Sequence, residues 1–261
     1  MPRVQTKGKD ATHRDCPFCG EKHKRCTGLL DKIASPELTG WLVKNSTTKL
    51  NFFANVLEKY TDPDLLMGLA KDEAEHLWSK ENKTPFWKSG RDIGGEAADY
   101  GTLAHNFIEN YFKGTIQDVK KLPEPSQKAV GGFLEWVKEH KVNCLSTEVQ
   151  TYNCDLGYAG KYDFDGEVDG LLTLADWKTS GAIYPKYVVQ SWNYADTIER
   201  RNPDKKYEQV LIGRFGKDGD WEVKTYKRDE FPSKDLCVKL MEACVIWQKF
   251  EDDWKDQHSK S

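Results

Sequence analysis

The dipeptide Asp169-Gly170 divides two short stretches, Tyr158 to Val168 and Leu171 to Thr179, whose β-branched, aromatic and alternating apolar positions read as strands. Asp and Gly both tolerate positive φ, so the pair suits a two-residue hairpin turn whose twist matches that of the strands it joins. Such a turn pairs 168 with 171 and, by continuation, sets Asp163 opposite Asp176. Directly opposed residues project from one face with Cβ atoms about 4.5–5.5 Å apart, so two carboxylates there repel unless a cation lies between them. Lys178, two residues beyond Asp176, projects from the same face. The register also sets Asp165 against Leu174 and Glu167 against Leu172, poor partners that leave room for a bulge or a longer loop.

Elements on either side frame this hairpin. Ser35-Pro36-Glu37 and Asp62-Pro63-Asp64 each place a capping residue before a proline, and apolar residues at helical spacing follow both. Tyr100 to Phe112 and Ser126 to His140 read as further helices, and Asn143 to Tyr152 as a strand before the hairpin. After it come a helix (Tyr184 to Arg200), two strands (Tyr207 to Phe215 and Trp221 to Lys227) joined at Lys217-Asp218-Gly219-Asp220, and a closing helix (Asp235 to Trp254). The order predicts an α/β fold: a central mixed sheet flanked by helices, with an N-terminal helical region.

Two carboxylates and an ammonium on one sheet face suit a hard divalent cation and a phosphodiester. Oxygen ligands favour Mg²⁺ or Mn²⁺, and Lys178 would position a water or stabilise developing negative charge. The plain alternative is an exposed hairpin with a solvated acidic edge.

Five motifs in order change the balance: Gly101-Thr-Leu-Ala-His105, Glu148, Gly160-Lys-Tyr-Asp163, Asp176-Trp177-Lys178-Thr-Ser180 and Gln190-Ser-Trp-Asn-Tyr194. Together they resemble the PD-(D/E)XK nuclease superfamily, in particular its RecB-like and phage-type exonuclease branch, over residues 101–194. The resemblance implies a restriction-endonuclease-like core and divalent-metal-dependent hydrolysis of DNA, in recombination, repair or phage DNA processing. It implies His105, Asp163 and Asp176 as metal ligands and Lys178 as the catalytic lysine. Glu148 would be a further catalytic acid that binds metal through water or orients Lys178, and Gln190 and Tyr194 would line the site and contact DNA. In domain terms, residues 1–30 are expected to be a flexible lead-in and cysteine knot. A single nuclease-like domain then spans 31–261, with a helical lobe (31–99), a catalytic core (100–230) and a C-terminal helix (231–261). An endonuclease keeps the same chemistry, and a non-catalytic nucleic-acid-binding module is the rival from another class. A recombination or single-strand-binding protein is a partner the resemblance allows.

Cys16-Pro-Phe-Cys19-Gly, His23 and Cys26 offer four soft ligands for Zn²⁺, although no second Cys-x-x-Cys follows and the Cys19–His23–Cys26 spacing is tight. A reduced, inert loop is the alternative. An iron–sulfur pattern with three late cysteines is not met, since only Cys237 and Cys244 are late. Seven cysteines, an odd count, argue against a disulfide scaffold and for a reducing, cytoplasmic location. No apolar run reaches the roughly 18 residues that cross a bilayer. A net charge of −3 excludes a generally basic nucleic-acid coat, so DNA must meet local patches, such as Lys22, Lys24 and Arg25 or Arg200-Arg201. Trp192 and Tyr184 offer rings for stacking on an unpaired base.

Overall fold

The computed structural model describes residues 13–30, 76–77, 90–115 and 117–258. The chain forms two compact units, one of residues 1–33 with 100–261 and the other of 34–99. The helices expected after Ser35 and Asp62 lie almost wholly outside the described residues.

The hairpin follows the predicted register. β4 (Tyr158–Val168) and β5 (Leu171–Lys178) run antiparallel, with Val168 opposite Leu171 and Phe164 opposite Ala175. Asp169 and Gly170 take φ of 53° and 85°, the doubly left-handed turn that suits strand twist. Asp165 does face Leu174, yet no bulge is needed. Its carboxylate turns instead to Tyr207 Oη at 2.9 Å, Lys205 Nζ at 2.5 Å and Ser146 Oγ at 3.2 Å.

β3 (Val142–Asn153) pairs along the whole of β4, and β6 (Gln209–Phe215) lies parallel to β5. Parallel neighbours need a crossover, which α4 (Pro185–Arg201) supplies. β7 (Trp221–Lys227) returns antiparallel to β6 through the turn at Gly219, φ 94°. The first described residues, from position 13, already belong to the sheet. β1 (His13–Asp15) and β2 (Lys22–Arg25) form a short hairpin that runs into α1 (Cys26–Leu30), and β2 pairs parallel with β4 at Tyr158 and Ala159. The result is a seven-stranded mixed sheet in the order β1-β2-β4-β5-β6-β7, with β3 also on β4.

Helices cover both faces, the α/β architecture expected. α2 (Gly90–Phe112) and α3 (Glu124–Glu139) lie on one side. α3 begins with Pro125 in its first turn and buries Ser126, Ala129, Val130, Phe133 and Trp136 on one stripe. Those side chains join Ala104, Phe107 and Ile108 of α2 over Phe164, Ala175, Trp177, Leu211 and Phe215. On the other side, α1, α4 and α5 (Lys234–His258) pack over Tyr158, Leu174, Val210 and Ile212. Alternation along β5 does the sorting. Trp177 enters the aromatic core against Phe133 and Trp136, while Asp176 and Lys178 point to the opposite face.

Candidate active site

A gap in the strand pairing creates the site. On one edge of β4, the ladder to β2 ends at Ala159 and the ladder to β5 starts at Phe164. Residues 160–163 therefore border an opening, which is lined by Asp163, Asp176, Lys178, His105 and Gln190, with Arg14 and Arg25 beside them. Asp163 closes its inner end by accepting a hydrogen bond from Trp177 N at 2.7 Å.

Each expected residue reaches this opening from its own element. His105 stands on α2, where Gly101 lets the helix come close to β5: a Cβ at 101 would lie 2.6 Å from Thr179 Oγ1. His105 Nδ1 is 3.6 Å from Asp163 Oδ2 and 4.0 Å from Glu148 Oε1. Glu148, within β3, takes φ 57°, a left-handed conformation that costs a non-glycine residue about 1–2 kcal/mol. Its carboxylate also forms an ion pair with Lys161. Strain of this kind persists only where surrounding contacts enforce it, and it collects at functional sites.

Asp176 and Lys178 form the second half. Lys178 Nζ lies 2.5 Å from Asp176 Oδ2. This oxygen is buried, and the Lys178 ammonium is the charge that faces it. Asp176 Oδ1 accepts from Gln190 Nε2 at 3.5 Å, and the same amide donates to Tyr194 Oη at 3.3 Å. Burial pushes the Asp176 carboxyl up to about 6, with Lys178 opposing and Asp163 adding to the shift. Burial also acts on Asp163, but His105 and then Lys178 outweigh it and hold this carboxyl below its ordinary value. Lys178 is half-buried, and the two carboxylates outweigh that desolvation and keep its pKa above the usual lysine value. Their surroundings thus push the two carboxyls in opposite directions.

The donor set fits a hard divalent cation. Ligand atoms from His105, Glu148 and Asp163 lie within 4.8 Å of one another. Asp176, paired with Lys178, adds a second aspartate to the same opening. Glu148, given an uncertain role from sequence, thus stands among the ligand atoms, while Asp176 stands toward Lys178. Gln190 and Tyr194, expected to contact DNA, are 6% and 2% exposed and turn their polar atoms to Asp176 and to each other. Trp192 is fully buried in the core, not available for base stacking. Arg25, from the basic patch expected to meet DNA, stands on the pocket wall; Arg14 beside it was not foreseen, because no spacing rule links a short N-terminal hairpin to a strand so far along the chain.

The expected zinc ligands divide. Cys16, Cys19 and His23 cluster, but the fourth member is Cys154, from the turn after β3. Cys26 requires correction: it begins α1, is fully buried in the α1–α4–α5 core, and borders the Asp163 pocket. The preceding strand carries it away from the Cys16–Cys19 turn.

Among the described residues no helix is long and apolar enough to cross a membrane. No family model matches the sequence, and a search of curated proteins finds no match. Solved structures similar to the chain include a putative exonuclease from Eubacterium rectale, 12% identical, covering 66% of this chain and 70% of that one with a TM-score of 0.40. Another is LHK-Exo in complex with dAMP, 15% identical, covering 61% of this chain and 85% of that one with a TM-score of 0.33.

Proposed function

We propose that the protein is a divalent-metal-dependent exonuclease that hydrolyses DNA phosphodiester bonds. The observation that carries this reading is the convergence of Asp163, Glu148, His105, Asp176 and Lys178 on one opening in the sheet. Asp163, Glu148, His105 and the carboxylate of Asp176 would hold Mg²⁺ or Mn²⁺, which when bound supplies Lewis-acid polarisation of the phosphoryl group.

The chain's own residues do the rest. Asp176 fixes the Lys178 ammonium at 2.5 Å, so that its charge is preorganised beside the scissile group. From there the ammonium orients an attacking water and meets the negative charge that develops on the phosphoryl oxygens. Gln190 and Tyr194 hold Asp176 from behind, and Gln190 stands at the pocket wall where a strand would pass. Arg14, Arg25 and Lys161 line the same opening and offer positive charge to the backbone phosphates.

Digestion of end-labelled linear DNA with Mg²⁺ or Mn²⁺ tests the reading. Wild-type protein should release nucleotides, while Lys178→Met and Asp176→Asn should each lose about 10²–10³-fold or more in rate, as expected for removal of a preorganised electrostatic group. No digestion by the wild type, or equal digestion by Lys178→Met, refutes it. Covalently closed circular DNA separates the modes: it resists an exonuclease and is nicked by an endonuclease. Binding to DNA without turnover would point to the non-catalytic module.

A further inference from the structure

We propose that Cys16, Cys19, His23 and Cys154 form a structural zinc site that clips the β1–β2 hairpin to the turn between β3 and β4. The four ligand atoms lie within 4.8 Å of one another. Cys16 Sγ is 3.6 Å from Cys154 Sγ, and Cys19 Sγ is 3.3 Å from His23 Nε2. Tetrahedral zinc with Zn–S near 2.3 Å and Zn–N near 2.0–2.1 Å needs S···S edges of about 3.8 Å and S···N edges of about 3.6 Å. The contacts are within a few tenths of an ångström of those edges. They are far from a disulfide, whose sulfurs sit about 2.05 Å apart.

The backbone is shaped for this arrangement. Cys16-Pro-Phe-Cys19-Gly20 closes a tight turn in which Gly20 N donates to Cys16 O at 3.1 Å and Cys16 N donates to Glu21 O at 2.9 Å. Gly20 takes φ 77°, which lets the chain reverse so that both sulfurs lie on one side. His23 comes from β2 and is 3% exposed. Three thiolates and one imidazole around Zn²⁺ carry a net single negative charge, and Arg201 is placed against it. Its guanidinium contacts Cys154 Sγ at 3.6 Å and stacks 3.9 Å from the Phe18 ring at the tip of the turn. Such partners orient and balance metal ligands.

A clip is physically needed here. The β1–β2 hairpin has three paired positions, and only two pairs join it to β4. A two-stranded ribbon of that size is marginal in water. The ribbon nonetheless carries Arg14 and Arg25 to the wall of the Asp163 pocket. Zinc would therefore hold two cationic side chains in place without touching the reaction. That consequence rests on the nuclease reading, whereas the metal site itself does not.

The test uses the full chain, purified under reducing conditions from zinc-supplemented medium, with metal measured by mass spectrometry and folding by circular dichroism. Wild type should hold about one zinc per chain. Cys154→Ser should fall below about a tenth of that, and Cys26→Ala should keep it. Cobalt substitution of the wild type should give the visible d–d bands and thiolate charge-transfer absorption of a tetrahedral sulfur-rich site. Folded wild type without zinc, zinc retained in Cys154→Ser, or zinc lost from folded Cys26→Ala overturns the proposal. A Cys16–Cys154 disulfide, or iron with labile sulfide in place of zinc, overturns it as well. Stoichiometric zinc in a protein that does not digest DNA would leave the site standing and remove only the nuclease reading.

Discussion

An alanine at Gly160 would place a methyl group 2.2–2.3 Å from Oη, Cε1 and Cζ of Tyr194. Carbon atoms rest at about 3.5–4.0 Å, so the ring must retreat by more than about 1 Å. Tyr194 is 2% exposed and its hydroxyl accepts from Gln190, which leaves little room to move. Overpacking of this kind costs about 1–3 kcal/mol. The φ at 160 is not left-handed, so alanine meets no backbone penalty there. Relieved of the ring, the substitution should instead gain about 0.4–1 kcal/mol by restricting the unfolded chain. Urea denaturation of wild type, Gly160→Ala, Tyr194→Ala and the double variant measures both terms by linear extrapolation. Gly160→Ala should destabilise the wild type by about 1–3 kcal/mol and be neutral or stabilising in the Tyr194→Ala background. If the two substitutions add within about 0.5 kcal/mol, the close approach of β4 to α4 is not what requires glycine.

Further expectations follow from single contacts. Gly101→Ala should gain up to about 1 kcal/mol of helix propensity in a Thr179→Ala background and lose that gain when Thr179 is present, because of the 2.6 Å contact; paired thermal melts decide it. Lys234 lies 2.6 Å from Asp196 and 3.3 Å from Glu199, which Arg200 and Arg228 also hold, so Lys234→Met should cost about 1.5–3 kcal/mol at neutral pH, read by the same urea titration. Burial raises the Asp196 carboxyl, but the bonds from Lys234 and Arg200 prevail and hold it below the ordinary value. A depressed folded pKa means stability present above about pH 4 and lost as pH falls through the folded value, so Asp196→Asn should flatten the acid limb of a melting-temperature profile. Asn tolerates the left-handed conformation of residue 148, so Glu148→Asn should stay within about 1 kcal/mol of wild-type stability while its nuclease rate drops, and an unfolded variant would contradict this.

Local chemistry made much of the Asp163–Asp176–Lys178 arrangement legible from residues alone. Asp169-Gly170 points to a two-residue turn, with a bulge or longer loop left open by the poor partners of Asp165 and Glu167, and strand alternation then sends Asp176 and Lys178 to one face and Trp177 to the other. The helix starts read at Ser126 and Tyr184 lie within two residues of those at Glu124 and Pro185, because helix starts are local signals too. The paired carboxylates and lysine could therefore be named without coordinates. The metal-ligand group could be named only as a set of candidates: His105 reaches Asp163 from a helix in the opposite layer, and Glu148 gains its place through one left-handed residue.

Which cysteine joins Cys16 and Cys19 was beyond any spacing argument. Cys26 lies nearby in sequence, yet its apolar neighbours Leu29 and Leu30 draw α1 into the core and take the thiol with them. Cys154, more than a hundred residues later, arrives because β2 pairs with the start of β4, beside the turn that Cys154 occupies. Hairpin register and helix starts are short-range properties written in adjacent residues. The meeting of a polar four-residue strand with a distant sheet edge depends on long-range pairing and burial, so only the packed chain shows where Arg14, Arg25 and the fourth sulfur fall.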